Sequence, residues 1–323
     1  MFPLVALLAV SALAQTAAEQ TLTETVSVGY VMVPFTVLGP HNTPITDLKR
    51  KEVSLLVDGF PVTSDLFEKS RNAPVSFTIL LDTSGSMALG GKMDAARAAV
   101  RTLLGQRQAD DDFALYAFDA EEARAVVPFT QDAALIEEAM QHVKPYGKTA
   151  FFDAVATMPE RSRLGRNSTR AIILLSDGID NASKLTRADI AGRLESVAIP
   201  IYPLGLREAA EMPKLDPKRP NEQLSDVALL DEVARLTGGK LYLGNRPEQL
   251  AAAVAALGQN LRAQYLIGFA PTGRGAVKYR HISLKLAGRI RAVRVRAGYR
   301  GTEPPRPALP VRDQTSSERK GSR

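Results

Sequence analysis

The chain has 323 residues, 45% of them hydrophobic, which is enough for one large domain with a buried core and a smaller unit beside it. It contains no cysteine, and this excludes disulfides, thiolate metal sites and cysteine nucleophiles. The formal net charge is +6, and the excess of lysine and arginine lies from Pro271 onward. A basic end of this kind suits an anionic surface, but we expect no nucleic-acid partner because the start of the chain predicts export.

The first residues predict a signal peptide. An uncharged apolar stretch runs from Phe2 to Ala14 and ends in a small-x-small pattern that suits signal peptidase. The stretch is preceded by no Lys or Arg, so a hydrophobic N-terminal strand is the alternative. We expect residues 1–14 to be removed and the protein to be extracytoplasmic, either secreted or periplasmic. No apolar run reaches the roughly 18 residues of a membrane span, so we expect no stable transmembrane insertion.

Two β-rich segments are expected on either side of a larger domain. Residues 20–72 contain short apolar runs broken by Gly, Pro and Asn, with a tight turn at Asp58-Gly59. The β pattern returns in residues 265–300. Because a short hairpin is not stable alone, we expect the two segments to form one β-sandwich, although two separate appendages also fit the pattern.

The arginines of the last predicted strand are expected on its solvated face, where charge discourages aggregation of an edge strand. They are Arg289, Arg291, Arg294 and Arg296. Residues 301–323 are rich in proline and charge, which predicts a disordered basic tail.

Between the β segments, residues 73–264 alternate apolar strands with helical stretches. The runs VSFTILLD, RAIILLSDG and IPIYPLGL are continuously apolar, as in parallel strands that are buried on both faces. The helix that begins near Lys92 has one apolar face, formed by Met93, Ala96, Val100 and Leu103. The pattern predicts an α/β fold with a doubly wound, mostly parallel sheet.

Oxygen-bearing side chains stand where the predicted strands end. Asp82, Ser84 and Ser86 form a D-x-S-x-S arrangement at the end of one buried strand, and Asp177 ends another. Thr149 stands just ahead of a predicted helix. Ligands of open parallel sheets bind outside the carboxyl ends of the strands, so we expect these five side chains to converge there. The set is entirely hard oxygen, which favours Mg²⁺ or Mn²⁺ over zinc.

The stretches DTSGSM, GKTAFFDAV and LLSDGIDN resemble, in this order, the three motif stretches of the von Willebrand factor type A (VWA) family. The resemblance covers residues 73–264 and implies a metal-ion-dependent adhesion site, with Ser84, Ser86 and Thr149 on the metal. Asp82 and Asp177 would lie near the metal directly or through water. The resemblance further implies a protein-binding module whose cation captures an Asp or Glu of a partner protein. The flanking β segments resemble those of secreted bacterial members.

One position departs from the family pattern. Lys148 stands in the second motif where many members have glycine, and it either repels the cation or attracts an acidic partner. Four apolar residues beside the motifs belong either to the core or to the partner surface: Met87, Leu89, Phe151 and Ile179.

Two other functions remain as alternatives. One is a structural or scaffold domain whose metal serves only stability. The other is a metal-dependent hydrolase, but Ser84 stands where aspartyl-nucleophile phosphatases usually carry a second Asp, and the sequence has no G-x-S-x-G elbow or glycine-rich phosphate loop. The three histidines, His41, His142 and His281, lie in different regions outside the motifs. We therefore expect no enzymatic activity.

Overall fold

The computed structural model describes residues 30–39, 43–69, 73–195, 197, 199–207, 225–244, 246–271, 276–287 and 292–301. The predicted signal peptide lies outside the described residues, and so does the predicted tail except for Gly301. Within these ranges no helix has the length and apolar character that a membrane crossing requires.

The central sheet of the α/β domain contains six strands in the described part of the chain. They are β5 (Val75–Asp82), β6 (Asp112–Phe118), β7 (Arg124–Thr130), β8 (Thr169–Ser176), β9 (Ile201–Leu206) and β10 (Tyr242–Gly244). Their order is β10-β9-β8-β5-β6-β7, and only β7 runs antiparallel to its neighbour. Every residue of β5, β6 and β9 is buried, which explains their continuous apolar runs. The predicted fold class is confirmed.

Helices cover both faces of this sheet. On one face, α1 (Lys92–Gly105), α2 (Ala133–His142) and α6 (Pro247–Arg262) share a hydrophobic core with the strands. On the other face, α3 (Phe151–Ser162), α4 (Arg187–Leu194) and α5 (Ser225–Thr237) form a second core. The predicted apolar face of α1 is buried at all four positions, Met93, Ala96, Val100 and Leu103.

Strands from both ends of the chain pair with one another in two antiparallel sheets. The first sheet has the order β13 (Ala292–Val295), β1 (Val31–Leu38), β11 (Tyr265–Phe269) and β4 (Leu66–Lys69). The second has the order β14 (Gly298–Gly301), β12 (Lys278–Leu286), β2 (Val53–Val57) and β3 (Phe60–Val62). Residues of both sheets, including Phe35 and Leu55, share one core, so the sheets pack as a sandwich. The α/β domain is inserted between its strands β4 and β11.

The turn between β2 and β3 has the geometry that the sequence predicts. Asp58 and Gly59 form the turn between β2 and β3 with φ values of 50° and 83°, the conformation that a tight hairpin requires.

The expectation of a solvated face is wrong for Arg296, which is 4% exposed and donates to the carbonyl oxygens of Gly298 and Glu195. The reason is that the expected single strand is divided into β13 and β14, which belong to different sheets. Arg294 is half-buried.

Arg289 and Arg291 lie outside the described residues. Glu195 directly follows α4, so Arg296 fastens the β-sandwich to the α/β domain.

The pairing of the two chain ends predicts a large effect of Phe35, whose ring stacks on Tyr265 of β11 at a centroid distance of 5.4 Å. Phe35 is 1% exposed, so Phe35→Ala should lower the free energy of unfolding by about 3–5 kcal/mol in urea titrations followed by circular dichroism. The control is Phe60→Ala, at a residue that is 57% exposed, with an expected change within about 0.5 kcal/mol. Equal effects of the two variants would contradict a common fold of β1 and β11.

Candidate metal-binding site

The two predicted carboxylates stand at the carboxyl ends of adjacent central strands. Asp82 is the last residue of β5, and Asp177 directly follows β8. The strands are parallel and in a register that pairs Leu81 with Leu175, so both carboxylates reach the same edge of the sheet. Both are 0% exposed.

The carboxylate of Asp82 is held from two sides. Its Oδ1 accepts a hydrogen bond of 2.9 Å from the backbone N–H of Ser84, and its Oδ2 accepts one of 2.6 Å from the hydroxyl of Ser176. Burial raises the pKa of Asp82 to about 6, although the hydrogen bonds from Ser176 and Ser84 oppose this shift. The charge of nearby Asp177 raises the pKa further. A cation at this edge would offset the cost of two buried carboxylates.

The first motif supplies two hydroxyls beside Asp82. Ser84 is 1% exposed and precedes the short 3₁₀ helix Gly85–Ala88, which contains the half-buried Ser86. The hydroxyl oxygens of Ser84 and Ser86 are 3.1 Å apart. Two adjacent oxygens of an octahedral Mg²⁺ ion, each at roughly 2.1 Å from the metal, are about 3.0 Å apart. The two hydroxyls are hydrogen-bonded to each other, at a distance that two neighbouring magnesium ligands would also have.

Backbone hydrogen bonds bring the second motif against the first. The N–H of Tyr146 donates to the carbonyl oxygen of Thr83 at 2.7 Å, and the N–H of Gly85 donates to that of Gly147 at 2.9 Å. Gly147 has φ 84°, a conformation that favours glycine. The loop thus carries Thr149, which is 1% exposed, to the same edge of the sheet.

Asn181 joins the second motif to the third. Its side-chain oxygen accepts from the N–H of Thr149 at 2.8 Å, and the N–H groups of Asn181 and Ala182 both donate to the carbonyl oxygen of Thr149 at 3.0 Å. Neither Asn181 nor Ser176 was predicted to belong to the site. Both lie in the stretch LLSDGIDN, and the available signal was a polar residue at the end of an apolar strand for Ser176 and membership of the motif stretch for Asn181.

A lysine also reaches the site, which the sequence analysis missed. Lys92 is the first residue of α1, and its Nζ lies 3.1 Å from Oδ2 of Asp177. The side chains of Lys92 and Asp177 are 3% and 0% exposed. A lysine in the first turn of a helix is usually solvated, so no sequence pattern indicated this burial.

The apolar residues beside the motifs divide into two groups. Met87 and Phe151 are fully buried in the core. Leu89 and Ile179 are 59% and 38% exposed, and Tyr146, which was not predicted, is 85% exposed. We call these last three residues, one from each motif loop, the apolar rim. Lys148 is also exposed.

The structure brings the five predicted residues together in three loops that hydrogen bonds connect. Among the described residues, no group of three or more His, Cys, Asp or Glu side chains is arranged to hold a metal ion. The predicted five-residue site is not a cluster of this type, because it combines two carboxylates with three neutral hydroxyls. Hard oxygen donors at the observed hydroxyl spacing fit Mg²⁺ or Mn²⁺. The role of these residues as metal ligands stays a prediction.

The sheet topology and the connected loops define a doubly wound α/β domain with an oxygen-rich site at the carboxyl ends of its strands. Residues 77–179 match the family model of the von Willebrand factor type A domain. Residues 77–179 therefore belong to a VWA domain, and the resemblance seen in the three motifs is confirmed.

Individual relatives are distant. An uncharacterized protein of Borreliella burgdorferi is 22% identical over 189 residues, which cover 54% of this chain and 55% of that protein. The chain thus spans about half the length of that relative. An aerotolerance-related membrane protein of Bacteroides fragilis is 19% identical with a TM-score of 0.45, covering 58% of this chain and 98% of the other. A von Willebrand factor type A structure from Catenulispora acidiphila is 15% identical with a TM-score of 0.46, covering 85% and 73%.

The hydrogen bonds of Ser176 predict a cost for removing its hydroxyl. This hydroxyl donates to Oδ2 of Asp82 and accepts from the N–H of Gly178 at 3.0 Å, so Ser176→Ala removes a hydrogen bond from each of two buried polar groups. The free energy of unfolding should fall by about 1–3 kcal/mol in chelator-containing buffer. The exposed Ser168 provides the control, and Ser168→Ala should stay within about 0.5 kcal/mol of the wild type. If Ser176→Ala is as stable as the wild type, the hydrogen bond to Asp82 contributes nothing to the free energy of unfolding.

Proposed function

We propose that the VWA domain binds an acidic side chain of a partner protein through a divalent cation, Mg²⁺ or Mn²⁺. Ser84, Ser86 and Thr149 would hold the cation, and Asp82 and Asp177 would lie near it. The observation that supports this proposal most directly is the 3.1 Å spacing of the Ser84 and Ser86 hydroxyls beside a buried carboxylate.

The ligand set explains why such a site would favour a carboxylate. Hydroxyl donors are neutral, so a cation bound here would keep much of its charge and offer a coordination position to an acidic group of the partner. The chain's own residues fix the donors in advance. Asp82 holds the backbone of Ser84, and Asn181 holds that of Thr149, so that little ordering remains when the partner arrives.

The surroundings of the site would supply specificity. The apolar rim of Leu89, Tyr146 and Ile179 offers exposed surface from each of the three motif loops, as interaction sites commonly do. Lys148 is solvated, so its repulsion of a cation is screened. Of the two roles considered for Lys148, we therefore propose attraction of an acidic partner.

VWA domains are generally interaction modules and not enzymes, and we propose no catalytic role for this one. The described histidines belong to none of the three motifs: His142 ends α2 and His281 lies in β12. We further propose that the protein acts outside the cytoplasm, secreted or periplasmic, because of its apolar first residues. A domain whose metal serves only stability is the second candidate, since the same donors would also stabilise the three connected loops.

Calorimetric titration of Mg²⁺ and Mn²⁺ into the chelator-treated chain tests the cation. We expect saturable binding at one site, and we expect Ser84→Ala combined with Ser86→Ala to abolish it because two of the donors are gone. Ser168→Ala, which is remote from the three motifs, should bind like the wild type. A folded wild type that binds neither ion, with or without added acetate as a stand-in for the partner's carboxylate, would refute the proposal.

Capture of peptides from a displayed library, each with one central Asp or Glu, separates adhesion from a purely stabilising metal. We expect capture that requires Mg²⁺ and that Tyr146→Ser weakens by about tenfold or more, while the Mg²⁺ affinity itself stays unchanged. Leu164→Ser is the matched control, because Leu164 is 73% exposed but lies in the loop that leads into β8, at the opposite edge of the sheet. If chelation lowers the melting temperature but leaves capture unaffected, the metal only stabilises the fold.

A further inference from the structure

Lys92 occupies an unusual position for a lysine. It is 3% exposed at the N-terminus of α1, where the positive end of the helix dipole disfavours a cation. A buried ammonium group is costly unless an anion lies close to it. The carboxylate of Asp177, with Oδ2 at 3.1 Å from Nζ, is an anion that compensates Lys92 here. The helix dipole therefore does not explain the burial of Lys92, whereas the ion pair with Asp177 contributes to it.

The charges around the site show what this pair does to a cation. Among the described residues, Asp82 and Asp177 contribute two buried negative charges, and Lys92 forms an ion pair with Asp177. Arg207 also approaches, since its Nη1 donates to the carbonyl oxygen of Asp177 at 3.2 Å, but its charge is paired with Asp226. Once a divalent cation enters, the two carboxylates and Lys92 leave a net positive charge. An anionic ligand would neutralise that charge.

We propose that Lys92 is the built-in counter-ion of Asp177. Lys92 keeps the site assembled in the absence of metal, competes with the divalent cation for the carboxylate, and makes the occupied site favour an acidic ligand. This inference rests on the proposed function and adds a coupling to it: the cation binds weakly alone and more tightly together with a carboxylate. Lys92 is thus a positioning residue that tunes affinity from beside the ligand set.

Calorimetric titration of Mg²⁺ into the full chain compares the wild type with Lys92→Met, which keeps a long unbranched side chain and removes its charge. We expect Lys92→Met to raise the Mg²⁺ affinity by about tenfold or more, because like-charge repulsion at the site is lost. Lys148→Met removes an exposed lysine of the second motif and should change the affinity by less than about threefold. In chelator, Lys92→Met should melt at a lower temperature than the wild type, and Mg²⁺ should restore its stability.

Two further measurements guard against a variant that fails to fold. Lys92→Gln can still donate a hydrogen bond to Asp177, and it should also bind Mg²⁺ more tightly than the wild type. In the unaltered chain, acetate should increase the Mg²⁺ affinity, whereas an equal concentration of chloride should not. An Mg²⁺ affinity that does not respond to acetate would overturn the coupling.

The outcomes separate this inference from the proposed function. Binding by the wild type with no gain in folded Lys92→Met overturns the counter-ion role and leaves the proposed function standing. If Lys92→Met binds Mg²⁺ and the wild type does not, the counter-ion role is supported. Metal-dependent adhesion by the natural chain is then overturned, because Lys92 replaces the cation. Absence of binding in both folded proteins overturns both.

Discussion

A buried carboxylate requires hydrogen-bond donors or a cation beside it, and the loops of the VWA domain are arranged around two such carboxylates. Asp82 takes hydrogen bonds from the backbone of Ser84 and the hydroxyl of Ser176, and this joins the ends of β5 and β8. Asp177 forms an ion pair with the ammonium group of Lys92, and this links the end of β8 to the start of α1. Through its bond to Ser84, Asp82 also fixes the backbone beside one of the hydroxyls that could hold a metal.

The domain has connections between its motif loops that require no bound cation. Its three motif loops are connected by backbone hydrogen bonds, such as that from Tyr146 to Thr83, which do not depend on any ion. Occupation of the site would therefore change charge more than shape. The exposed side chains around it, Leu89 and Ile179 among them, stand on a preformed frame.

The parts of the fold that arise from local pattern could be predicted from the sequence. The continuous apolar run of β5 and the spacing along α1 indicated the α/β domain, and D-x-S-x-S marked three of the five site residues. Contacts between distant residues could not be predicted in this way. The burial of Lys92 depends on a carboxylate 85 positions away. The inward direction of Arg296 depends on a change of sheet between β13 and β14, which a regular alternation of side chains does not show.

The place where the α/β domain joins the β-sandwich has a consequence for the architecture. Strands β4 and β11 lie next to each other, with Lys69 opposite Tyr265, so the chain leaves the sandwich and returns to it at almost the same point. An insertion of this kind disturbs the host no more than a long hairpin loop would. The sandwich can thus serve as a scaffold for an inserted domain. One inserted domain could be exchanged for another during evolution or engineering while the pairing of the sandwich strands stays the same.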